Sequence, residues 1–118
     1  MAMAKKKKIT VEELKAELIA AIATLENMIN ALENGAITDA ETTRLFRDRL
    51  NEFDRQVTKA QAPWIRAARH ALAGLGAYLE DGSAFGVEAQ GYVNRVRDFL
   101  WFARYETKKN LESALLPS

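Results

Sequence analysis

From Val11 to Leu32 the apolar residues return every three or four positions, and that spacing predicts the first of four helices. Val11, Leu18, Leu25 and Leu32 fall every seven residues, and Leu14, Ala21 and Met28 interleave with them, giving an a/d seam of about three heptads. Ile22 and Ile29 widen the seam into the stripe of a bundle helix. Thr10 and Glu13 read as a capping box, with Ile9 and Leu14 at the hydrophobic-staple positions. Asn34-Gly35 supplies a stop, Gly35 being suited to the left-handed position.

Thr38-Asp39-Ala40-Glu41 reads as a second capping box only a few residues later, so the first two helices are expected to form an antiparallel hairpin. The second stripe is Phe46, Leu50, Phe53, Val57 and Ala60. Arg44, Arg47, Asp48, Asn51 and Arg55 take the opposite, solvated side. Pro63 interrupts the pattern, because proline lacks a donor and disfavours helix at the residue before it. The apolar phase nevertheless continues through Trp64, Ala68, Ala71, Leu72, Leu75 and Leu79. Pro63 either opens a new helix or kinks one rod that would span ~60 Å, too long for its neighbours to cover in a compact monomer, so a sharp bend is favoured unless a dimer covers the rod.

Asp81-Gly82-Ser83 ends that segment, and a last helix follows to Leu115 with the stripe Phe85, Ala89, Tyr92, Val93, Val96, Phe99, Leu100, Ala103 and Leu111. No alternation long enough for a strand appears. The expectation is an all-α, antiparallel four-helix bundle with helices at roughly 11–33, 39–61, 63–80 and 85–115 and a kink or break at Pro63.

The last helix contains Phe99-Leu100-Trp101-Phe102-Ala103-Arg104-Tyr105, apolar in nearly every direction. With Val96 marking the core, Phe99, Leu100 and Ala103 point inward and Phe102 lies on the flank. Trp101 and Tyr105 point away and are i,i+4 neighbours, with Arg97, Arg104 and Lys108 close by. Outward tryptophan, tyrosine and arginine have the composition of an interface hot spot.

Composition narrows the classes. At 118 residues with 48% hydrophobic side chains, one domain can bury a core without staples. There is no cysteine, so disulfides, thiolate metal sites and a cysteine nucleophile are excluded together. Lys5, Lys6, Lys7 and Lys8 hold four of 17 basic residues; from Ile9 onward 13 basic face 16 acidic residues, a body of about −3. The chain therefore divides into a disordered basic tail over 1–8 and a single helical domain over 9–118. No run approaches the ~20 apolar residues of a membrane span, and no apolar signal region follows the lysines. A soluble, unprocessed, cytoplasmic protein is expected.

Catalytic signals are weak. Gly74 and Gly76 sit inside a helix, at about 1 kcal/mol each, which points to close approach of a neighbouring backbone. His70 is the only histidine and lacks partners for a metal site; Arg49 lies near the core face of its helix and is expected to snorkel outward. No serine sits beside a plausible base, and the carboxylate pairs Asp48/Glu52 and Glu80/Asp81 read as solvated. No cofactor or metal is expected. The reading is a non-enzymatic protein–protein interaction or assembly module that contacts a partner or itself through Trp101, Tyr105, Arg97, Arg104 and Lys108. The alternative is a nucleic-acid-associated protein using Lys5, Lys6, Lys7, Lys8, Arg44, Arg47 and Arg55; a further alternative is a small-ligand site near His70 and the glycines.

Overall fold

The computed structural model describes residues 10–53 and 62–115. They form four helices: α1 (Val11–Glu33), α2 (Ala40–Phe53), α3 (Ala62–Glu80) and α4 (Val87–Leu115). The lysine tail, Arg55 and the Val57 and Ala60 positions of the second stripe lie outside the described residues.

Local chemistry sets the helix ends. At the start of α1 the Glu13 amide donates to Thr10 Oγ1 at 3.1 Å and the Thr10 amide donates to Glu13 Oε1 at 3.3 Å, closing the expected capping box. At its end Ala36 N donates to Ala31 O at 3.0 Å and Gly35 N to Leu32 O at 3.3 Å, the paired bonds of a Schellman motif. Gly35 has φ +80°, which a Cβ would resist. The cap of α2 differs from the expected one by a residue. Asp39, not Thr38, accepts from the Thr42 amide at 2.8 Å, and Thr42 Oγ1 accepts from the Asp39 amide at 3.0 Å. Aspartate wins because its carboxylate takes both the Thr42 amide and the Thr42 hydroxyl. Those two bonds, the backbone one foremost, hold the Asp39 carboxyl below the usual aspartate range.

The helices pack up-down-up-down. Trp64 of α3 meets Phe99 and Phe102 of α4, while Tyr78 meets Tyr92, so these two helices are antiparallel. Ile19 and Ile22 of α1 lie beside Leu111, and Asn30 beside Trp101, so α1 and α4 are antiparallel too. Thr43 of α2 packs on Gly76 of α3. In one continuous helix those two residues would be about 50 Å apart, so the chain reverses between α2 and α3. Pro63 stands second in α3, within the first turn, where its missing N–H costs nothing.

α4 is the central helix, against α1 on one side and α3 on the other, and α2 rests on α3. The short α1–α2 connection predicts those two backbones in close contact, yet they scarcely touch. The buried face of α2 (Thr43, Phe46, Leu50 and Phe53) is committed elsewhere, and Ile37 in the connection is buried in the shared core.

The core follows the predicted stripes with informative additions. Leu25, Met28, Leu50, Leu72, Leu75, Val96 and Leu100 are fully buried. Ile65 and Thr107, neither assigned to a stripe, are fully buried as well; Thr107 is tolerated because its hydroxyl donates to Ala103 O at 2.7 Å. Val11, at the head of the heptad seam, is exposed. Arg49 is exposed, as an outward-reaching arginine should be.

Candidate functional site

The outer face of α4 carries a connected set of rings. Trp101 and Tyr105 stack with centroids 5.8 Å apart and planes within 7° of parallel, and they are 46% and 49% exposed. One helical turn separates them, which brings flat rings to this spacing when both side chains lean the same way. Phe102 meets Trp101 edge-on at 5.6 Å. Its other side stacks on Trp64 of α3 at 4.8 Å, and Trp64 continues to Phe99 at 6.4 Å. An exposed pair is thus held at one end of an array that runs into the core. Rings fixed in this way lose little freedom on binding.

The charged rim comes from two helices. Arg104 Nε donates to Glu26 Oε2 of α1 at 2.9 Å, and Lys108 Nζ lies 4.0 Å from the same oxygen. Arg97 pairs instead with its chain neighbour Asp98 at 3.2 Å and makes no bridge to α1. Lys109 places its ammonium 5.6 Å from the Tyr105 ring centroid.

Beside the ring pair runs an open groove of about 540 Å³ between α1 and α4, lined by Ala23, Glu26, Asn27, Asn30, Trp101 and Arg104 among others. A second groove, of about 380 Å³, adjoins it at Glu26 and is more apolar, with Ile19, Ile22 and Leu111. Ile19 is 56% exposed. The structure therefore joins four of the five residues singled out on α4, namely Trp101, Tyr105, Arg104 and Lys108, into one face shared with α1. Sequence reasoning missed three parts of it. Lys109 was legible, being four residues after Tyr105. Phe102 was placed on the flank and proves 41% exposed. Glu26 carried no signal at all, since it lies 78 residues from Arg104.

Other candidates do not converge. Arg44 and Arg47 line one groove between α2 and α3, together with Ala73, Gly76, Ala77 and Glu80 among others. His70 faces solvent. Gly74 turns to the Tyr92 ring on α4, where an added Cβ would come within 3.0 Å of Cε1, while Gly76 turns to Thr43 on α2. The Gly74 neighbour is thus a side chain, not the backbone expected: the aromatic ring needs the room that a Cβ would take. Among the described residues no group of three or more His, Asp or Glu is placed to hold a metal ion, and no helix is long and apolar enough to cross a membrane. Comparison with protein-family models, with curated proteins and with solved structures finds no match to this chain.

Proposed function

We propose that this chain is a non-enzymatic helical module for protein–protein interaction or assembly, and that its contact surface is the outer face of α4 with the adjoining edge of α1. The observation that carries the reading is the stacked, half-exposed Trp101/Tyr105 pair, braced by Phe102 and Lys109. Burial of such rings against a partner supplies affinity, and the Glu26, Arg104 and Lys108 rim sets orientation. A photo-cross-linking amino acid at position 101, with position 73 as a control on an exposed α3 face, tests it in cells expressing the chain. Protein adducts at 101 and none at 73 are expected. Equal labelling at both positions, or none at 101, refutes the surface.

The second reading, nucleic-acid association through Lys5–Lys8 with Arg44, Arg47 and Arg55, draws support from Arg44 and Arg47 sharing one groove. It requires salt-sensitive binding that falls when the chain starts at Ile9 and falls again in Arg44→Ala/Arg47→Ala. Equal, negligible binding by all three chains removes it.

A further inference from the structure

We infer that the occupant of the aromatic face is the same face of a second copy of this chain, related by a two-fold axis parallel to α1 and α4. This rests on the interaction surface proposed above and names its partner. Three observations carry it.

The first is shape. The Trp101/Tyr105 ridge stands directly beside the α1/α4 groove. A ridge on one side of a groove is self-complementary, because a two-fold axis running along the groove sets each α4 ridge on the α1 side of the other copy's groove. The second is the surface that would receive the rings. Ala16, Ala20, Ala23, Asn27 and Asn30 are exposed along one uncharged line of α1. Such a line allows an aromatic ridge to approach the helix closely, without burying an ion.

The third is charge. Around the ring pair Arg104, Lys108 and Lys109 rise from α4 and Glu26 and Glu33 rise from α1, and Glu112 of α4 lies a turn beyond Lys108 at the second groove. A uniformly basic or acidic partner meets like charge on one of these helices. A second copy meets opposite charge on both. Rotation about an axis parallel to two antiparallel helices lays α1 of the second copy over α4 of the first, antiparallel and at the same height. Within one chain Trp101 is level with Asn27 and Asn30, Arg104 is level with Glu26, and Lys108 reaches back to the same Glu26 oxygen from a turn further along α4. The rotation repeats those pairings between chains, so Arg104 and the longer reach of Lys108 approach Glu26 of the second copy and the rings face its Asn27 and Asn30. Ile19, Ile22 and Leu111 extend the same face toward the other end of α1.

Sedimentation velocity of the full chain over a concentration series tests this. A monomer–dimer equilibrium is expected for the wild type. Trp101→Ala/Tyr105→Ala should weaken it by at least about 30-fold, since each substitution removes its anchor twice in a two-fold interface. Unchanged helical circular dichroism would show that the variant folds. Two further chains read the register: Glu26→Lys and Lys108→Glu should each self-associate less than wild type, and their equimolar mixture should dimerise better than either alone. A wild type that stays monomeric overturns self-association, while adducts with a different protein at position 101 would leave the broader interaction reading standing. A dimer indifferent to the aromatic substitutions, or a mixture no better than its components, overturns the two-fold arrangement.

Discussion

Replacing Gly74 with alanine sets two effects of similar size against each other, and replacing Gly76 does not. Alanine is about 1 kcal/mol better than glycine in a helix interior, and both positions lie inside α3. At Gly74 the new Cβ would sit 3.0 Å from Tyr92 Cε1 and 3.7 Å from Cδ1 and Cζ. The ring cannot retreat freely: Tyr78 lies 6.2 Å away, centroid to centroid, and the Arg95 guanidinium lies 5.8 Å from the ring centre. Overpacking of this kind costs about 1–3 kcal/mol, so Gly74→Ala should be neutral to about 2 kcal/mol destabilising. At Gly76 the nearest atom, Thr43 Cγ2, is 3.8 Å away, an ordinary contact, so Gly76→Ala should gain up to about 1 kcal/mol. Thermal and urea unfolding followed at the helical circular-dichroism band measures both, at about 3–6 °C in Tm per kcal/mol for a domain of this size. In a Tyr92→Ala background the Gly74→Ala penalty should vanish and its propensity gain appear. If Gly74→Ala raises Tm as much as Gly76→Ala with Tyr92 intact, the ring does not constrain that position and the account of Gly74 is wrong.

Three further outcomes are expected. Leu100→Ala should cost about 2–5 kcal/mol, because the side chain is fully buried, whereas Phe102→Ala two residues later should cost nearer 1 kcal/mol, mostly its stacking on Trp64; denaturant midpoints with unchanged m-values would read this order, and a reversal would contradict the placement of α4. Asp39 has a folded pKa below its ordinary 3.8, so its contribution is complete above that value and is lost as pH falls through the lowered folded pKa; Asp39→Asn should flatten the acid arm of the Tm-against-pH curve over about pH 2–5, and an unchanged slope would count against the cap. Arg104→Ala should cost about 0.5–1 kcal/mol, since its pair with Glu26 is only partly buried, and a double-mutant cycle with Glu26→Ala should show coupling of that size; zero coupling would mean that the bridge is not formed in solution.

The elements of the fold were legible to the extent that they are local. The Thr10/Glu13 box and the Gly35 stop act over three to five residues, so sequence spacing carries them completely. The helical period likewise sorted Leu100 and Ala103 inward and Trp101 and Tyr105 outward. Where two local signals overlapped, as in Thr38-Asp39-Ala40-Glu41, spacing did not choose the cap, because the stronger acceptor decided it. The candidate site was legible only in its α4 half.

By itself, then, the sequence determined four helices, the cap and stop of α1 and the inward or outward direction of most apolar side chains, since these depend on backbone hydrogen bonds and a 3.6-residue turn. The tertiary structure alone decided that α4 lies between α1 and α3, that Tyr92 occupies the space beside Gly74, and that Glu26 meets Arg104. Those facts depend on which helix slides against which and at what height. That is settled by side chains interlocking across dozens of residues, where no periodicity within one helix can register it.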